Sequence, residues 1–167
     1  AKMMEMAGAK EVTAVDLDEA SLAHARSAYM GERIRHLQAD IQRLPFADET
    51  FDAVVSFETI EHIPQGSDWI RESARVLKPG GLFLVSTPNR RTCNPGLYYE
   101  EAPSNPYHFY EYNFSDFVGE LLLEYDLLEV YRQTLIQDAD DDAHRLLRHQ
   151  HERNPVWRPN PTPAASG

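Results

Sequence analysis

Glu58, Glu61 and His62 stand at positions i, i+3 and i+4, a spacing that shares one helical face if Phe57 leads into a helical turn. Two carboxylates and an imidazole suit a divalent cation such as Mg2+, Mn2+ or Zn2+. A second set of polar residues closes three short apolar runs. Asp16 follows Val12-Thr13-Ala14-Val15, Asp40 follows Ile34 to Ala39, and Ser56 lies within Phe51 to Phe57. If those runs are parallel strands, the three residues occupy the carboxyl edge where open α/β sheets bind ligands. A carboxylate about 20 residues after a glycine-rich turn typically grips ribose, because two adjacent hydroxyls offer two donors to one acid, and Asp16 sits where that acid is expected. Each aspartate alone fits equally well as a polar strand end or helix cap. Together, in this pattern, they favour a nucleoside site.

The elements that must position these residues are legible in outline. Lys2 to Ala7 reads as helical turns stopped by Gly8. Val12 to Asp16 reads as a buried strand, and Asp18 caps a helix carrying Leu22, Ala25 and Tyr29 through Gly31. Trp69, Ile70, Ser73, Ala74 and Leu77 mark one face of a later helix, stopped by Pro79-Gly80-Gly81. Leu82-Phe83-Leu84-Val85 follows at once and is apolar on both faces, as in a parallel strand covered by helices on both sides. Alternating strands and helices indicate an α/β layer fold. Thr87 to Tyr112, rich in Pro, Asn, Gly and Tyr, is long for a connection and reads as a lid or binding segment. Asn113 caps a helix with Phe114, Phe117, Val118, Leu121 and Leu122 inward, and Asp126 to Thr134 reads as a further strand.

Composition sets the outer bounds. The chain has 167 residues, room for one ordinary domain. Sixteen Lys+Arg against 27 Asp+Glu give a net charge of −11, which argues against a general phosphate-backbone binder. The single cysteine, Cys93, excludes an intramolecular disulfide and a Cys-rich zinc module, and fits a reducing, cytoplasmic setting. Nothing near it marks a nucleophile of lowered pKa. No apolar run approaches the roughly 18 residues of a membrane span. His144, His149 and His151 fall in a polar stretch and read as solvated.

Three segments carry a resemblance. VTAVDLDEASLAHAR, LQADIQRLPFADETFDAVVSFETIEHI and ARVLKPGGLFLVSTPN resemble consecutive motifs of class I S-adenosylmethionine-dependent methyltransferases. The resemblance implies a Rossmann-like sheet with helices on both faces and S-adenosylmethionine as cofactor. It implies Asp16 on the ribose, Leu17 against the adenine and Asp40 accepting from the adenine amino group. Ile41 would pack on the ring, with Ser56 and Phe57 lining the methionine end. One departure stands out: the family's glycine-rich loop after its first strand has no counterpart among the fifteen residues before Asp16. The expected organisation is therefore a partial methyltransferase domain over 1–137, its first strand and glycine loop missing. A polar helix over 138–153 and a disordered Pro-rich tail over 154–167 complete it, and the chain reads as a fragment.

The Glu-x-x-Glu-His pattern, followed later by His108-Phe109-Tyr110-Glu111-Tyr112, resembles two metal-using groups. These are the ubiquinone-pathway O-methyltransferases and the small-RNA 2′-O-methyltransferases. That resemblance implies Glu58, Glu61 and His62 as metal ligands, with His108 a fourth ligand or a general base. Metal-free relatives carry a Glu-His pair whose histidine only borders the substrate pocket, so both readings stand. Tyr98, Tyr99, Tyr107 and Tyr110 either wall an acceptor pocket or anchor their loop. The acidic composition favours a small-molecule acceptor over RNA. The expected reaction is methyl transfer to oxygen, with nitrogen or carbon the less favoured acceptor atoms, and positioning supplying most of the rate. An RNA 2′-O-methyltransferase, a nicotinamide dehydrogenase on the same sheet and a non-catalytic descendant are the alternatives.

Overall fold

The computed structural model describes residues 1–95 and 101–131. The chain divides into two units, Ala1–Tyr112 and Asn113–Gly167. In the first, α1 (Lys2–Met6) stops where Gly8 turns to φ +100°, a conformation open to a residue without a Cβ. β1 (Val12–Asp16) and β2 (Ile34–Gln38) pair in parallel, from Val12 opposite Ile34 to Asp16 opposite Gln38. The crossover is α2 (Glu19–Ala28), capped by Asp18, whose carboxylate accepts from the backbone of Ala20 and Ser21. Its buried anchor is Leu22 alone. Tyr29 lies past the last helical residue and is exposed, so the expected face is narrower than the spacing suggested. In β1 only Val12 is buried; Thr13, Ala14 and Val15 are half-buried.

β3 (Phe51–Phe57) and β4 (Leu77–Ser86) form a second parallel pair. Between them runs α3 (Gly66–Val76), burying Gly66, Trp69, Ile70, Ser73 and Val76. Pro79-Gly80-Gly81 is not the helix stop. The helix ends at Val76, and Leu77 already lies opposite Phe51 in the strand pair. The next partners are Ala53 and Leu82, so the Lys78–Gly81 segment bulges from the register, with Gly80 at φ +77°. Beyond it β4 alternates instead of being covered on both faces. Phe83 meets Trp69 of α3 edge-on, whereas Leu82 and Leu84 remain 49% and 44% exposed. The two pairs are separate two-stranded sheets among the described residues.

Arg75, on the last turn of α3, pins the loop that follows Asp40. Its guanidinium donates to the carbonyls of Phe46 (2.8 Å) and Leu44 (3.2 Å) and pairs with Glu72 and Asp48. Glu72 in turn accepts from the Leu44 amide at 2.6 Å. After β4 the chain forms α4 (Arg90–Cys93), and a bridge between Asn89 and Tyr112 closes the base of the long loop.

In the second unit, α5 (Phe114–Leu121) buries Val118 and Leu121, with Phe114 and Phe117 half-buried. Asn113 holds the cap position without a side-chain bond, and Leu122, expected inward, lies past the helix end and is exposed. Residues 126–131 form no strand, because no described backbone segment pairs with them. The rest of that expected strand, the polar helix over 138–153, the tail over 154–167, Tyr98, Tyr99, His144, His149 and His151 lie outside the described residues.

Candidate functional site

Asp16 closes β1, and Asp40 stands two residues beyond β2. The Ala39 amide donates to the Asp16 carbonyl at 3.1 Å, which sets both aspartates at the carboxyl edge of one strand pair. One oxygen of each carboxylate shapes its own loop. Asp16 Oδ1 accepts from the Asp18 amide at 2.9 Å, and Asp40 Oδ1 accepts from the Gln42 amide at 2.9 Å, capping the 3₁₀ turn Ile41–Arg43. The second oxygen of each accepts no hydrogen bond from the described residues. Leu17 beside Asp16 is exposed, and Ile41 beside Asp40 is half-buried. At the end of β3, Ser56 turns inward: its buried hydroxyl accepts from Trp69 Nε1 at 3.2 Å. Its neighbour Phe57 faces outward.

The expected helical face of Glu58, Glu61 and His62 does not form. β3 continues to Phe57, and Glu58 then takes φ 48°, left-handed for a residue with a Cβ, before the 3₁₀ turn Ile60–His62. Glu58 is instead tied to the end of β4. Its amide donates to the Ser86 carbonyl at 3.1 Å, and the Ser86 hydroxyl donates to its carboxylate at 2.6 Å. The group that does assemble is Glu61, His62 and His108, one ligand atom from each lying within 4.8 Å of the others. Glu58 is not part of that group, so three of the four ligands that the resemblance implies are drawn together here.

Glu61 is 1% exposed; its carboxylate accepts from the Thr87 hydroxyl at 3.0 Å. Its backbone carbonyl accepts from the Phe109 amide at 2.8 Å, which draws the long loop onto the turn. His62 Nδ1 donates to the Tyr107 carbonyl at 2.9 Å, and the His62 and His108 rings meet edge-on at 4.8 Å. His108 Nδ1 lies 2.7 Å from Glu111 Oε1, and its Nε2 lies 2.9 Å from Asn105 Nδ2. Glu111 is as buried as Glu61, and its other oxygen accepts from Asn94.

Sequence reasoning passed over Glu111, Asn94 and Thr87, because a buried acid in an irregular loop leaves no periodic mark. The available signal was the carboxylate three residues after His108. Cys93 is exposed, yet partial desolvation of its sulfur, then the charges of Glu111, Glu58 and Glu61, push the thiol up, the direction opposite to that of an activated nucleophile. Of the loop tyrosines, Tyr110 packs edge-on against buried Tyr112, whereas Tyr107 is exposed.

Parallel strands joined by helical crossovers, with Asp16 and Asp40 at the carboxyl edge of one pair, define an α/β unit of the kind that places ligands at that edge. Residues 1–85 match the family described as "Methyltransferase domain", and the chain belongs to it. It is 43% identical over 122 residues to "Probable S-adenosylmethionine-dependent methyltransferase Rv3030" of Mycobacterium tuberculosis, covering 73% of this chain and 42% of that relative. To the ubiquinone biosynthesis O-methyltransferase of Alkalilimnicola ehrlichii it is 38% identical over 91 residues, 53% of this chain and 36% of the relative. The crystal structure of an S-adenosylmethionine dependent methyltransferase from Mesorhizobium loti matches with a TM-score of 0.64 at 21% identity, covering 91% of this chain and 80% of that one. The fold is thus the Rossmann-like class I methyltransferase fold. The chain spans about two fifths of the length of the curated relatives it matches. No helix among the described residues is long and apolar enough to cross a membrane.

Proposed function

We propose that the chain binds S-adenosylmethionine and directs its sulfonium methyl group to an oxygen of a small-molecule acceptor. The observation that carries this reading is the pair Asp16 and Asp40 at one edge of one strand pair, each with a carboxylate oxygen left for a ligand. Asp16 suits the ribose hydroxyls and Asp40 the adenine amino group. Leu17 and Ile41 offer apolar surface to the purine, and Phe57 offers it toward the methionine end. Because the departing thioether is neutral, the reaction needs little acid catalysis, and orientation of the acceptor carries the rate. Oxygen as the target accords with the O-methyltransferase named among the relatives.

The Glu61, His62 and His108 donor set fits a divalent cation. Each donor side chain is held from behind, by Thr87, the Tyr107 carbonyl and Glu111 respectively, as metal-binding side chains usually are. Two imidazoles with one carboxylate favour Mn2+ or Zn2+ over Mg2+. Such an ion supplies Lewis-acid activation of a hydroxyl. His108 otherwise takes the hydroxyl proton itself on its unprotonated ring nitrogen.

Calorimetric titration of the protein in its natural full length tests the cofactor assignment. Asp16→Ala and Asp40→Ala are each expected to weaken S-adenosylmethionine binding about 10- to 100-fold, the worth of a charge-assisted hydrogen bond. Unchanged affinity in both would sink the reading. For the cation, chelation should lower turnover and Mn2+ restore it, with Glu61→Gln abolishing the rescue. Turnover indifferent to chelator removes the cation and leaves His108 as the base.

A further inference from the structure

We infer that Glu111 is a positioning residue that fixes which nitrogen of His108 carries the proton. The inference rests on the reading of His108 as ligand or base in methyl transfer. Two donors converge on this buried carboxylate, Asn94 Nδ2 on one oxygen and His108 Nδ1 on the other. The two amides of the network are themselves oriented by backbone. The Ser104 amide donates to Asn94 Oδ1 at 3.0 Å, and the Tyr107 amide donates to Asn105 Oδ1 at 3.0 Å. Asn94 must therefore turn its NH2 toward Glu111, and Asn105 must turn its NH2 toward His108 Nε2. An NH2 group facing Nε2 requires a lone pair there, and a carboxylate facing Nδ1 requires a proton there. Both constraints select the same neutral tautomer.

A carboxylate does this where an amide would not. Glutamine at 111 has one acceptor oxygen for two incoming donors, so either Asn94 or His108 Nδ1 would face its NH2 group. Burying an ionised acid is costly unless its oxygens are satisfied, and here both are. His62 reaches the same tautomer by donating Nδ1–H to the Tyr107 carbonyl. Both rings of the cluster thus present an unprotonated Nε2 before any ligand arrives. The two Nε2 partners differ in permanence: exposed Asn105 can withdraw, whereas Glu111 is enclosed.

The imidazole resonances of isotope-labelled histidine, read in the full-length protein without turnover, test the assignment. Wild-type His108 should be protonated at Nδ1. Glu111→Gln should lose that preference, with kcat falling roughly 10- to 100-fold and KM for S-adenosylmethionine little changed. Glu111→Asp should restore the tautomer and part of kcat, and Asn105→Ala should leave the proton on Nδ1. The inference is overturned by a wild-type ring protonated at Nε2, a result that needs no variant to fold. It is equally overturned by a folded Glu111→Gln protein that keeps Nδ1–H. A wild-type protein with the expected tautomer but no methyl transfer supports the assignment and refutes the proposed function.

Discussion

Asp16 and Asp40 each give one carboxylate oxygen to their own loop and, in the proposed site, the other to the cofactor, and that division makes the two roles separable. One oxygen of Asp16 accepts the Asp18 amide and sets the turn into α2; the other points to no described donor. Asp16→Asn keeps an acceptor for the turn while removing the charge. Its unfolding free energy should stay within about 0.5 kcal/mol of wild type, while affinity for S-adenosylmethionine drops about tenfold. Thermal denaturation beside calorimetry checks the pair of outcomes. A loss of stability equal to the loss of binding would mean that the residue serves the fold alone. Both aspartates were readable in sequence because they end apolar runs whose strand character is local. Glu61, His62 and His108 were already grouped in sequence through the resemblance, with Glu58 beside them. Glu58 dropped out because a left-handed φ at a non-glycine residue interrupts the helical spacing without any sequence mark. Glu111 entered because only the folded loop brings it beneath His108.

Among the elements, α3 carries the site's supporting face, and its packing is tight where it passes the loop. A Cβ at Gly66 would lie 2.4 Å from the Tyr112 hydroxyl oxygen and 2.9 Å from Ile60 Cγ1. Gly66→Ala should therefore destabilise the protein by about 1–3 kcal/mol through overpacking, seen as a lower denaturant midpoint at unchanged slope. At the other end of α3, hydrogen bonds from Arg75 and then from the Leu44 amide hold Glu72 below its ordinary value of 4.5, against the opposing effect of burial. An acid with a lowered native pKa binds fewer protons folded than unfolded. Its contribution is complete above pH 4.5 and fades as pH falls through the native value. The melting temperature of wild type should accordingly fall more steeply below pH 4.5 than that of Glu72→Gln, and parallel curves would refute the linkage. The helical period of α3 was plain in sequence, since Trp69, Ile70 and Ser73 recur on one face. The Lys78–Gly81 bulge was not, because its Pro and Gly residues equally announce a helix stop.

For the whole molecule, alternation of strand and helix was enough to name the α/β layer fold. It could not show that, among the described residues, β1–β2 and β3–β4 stand as separate pairs, since strand adjacency depends on backbone partners and not on local pattern. Charge acts at this scale too, and it bears on the choice between a small acceptor and RNA. A polyanion gains affinity by exchanging condensed counterions for clustered Lys and Arg, with a salt slope that counts the phosphates neutralised. The chain carries 16 such residues against 27 acids. Several of the cations are already committed: Arg75 to Glu72 and Asp48, Lys78 to Asp52, Arg26 to Glu19. A net charge of −11 opposes the approach of a phosphate backbone within about a Debye length, roughly 8 Å in physiological salt. A fluorescent single-stranded RNA should therefore show no anisotropy change at about 100 µM protein, the weak end of non-specific affinities, in physiological salt. Lowering the salt should not rescue binding, whereas a basic-patch binder would gain steeply. Tight, salt-sensitive RNA binding would instead move the acceptor from a small hydroxyl compound to a ribose 2′-hydroxyl, with the same Glu61, His62 and His108 group beside it.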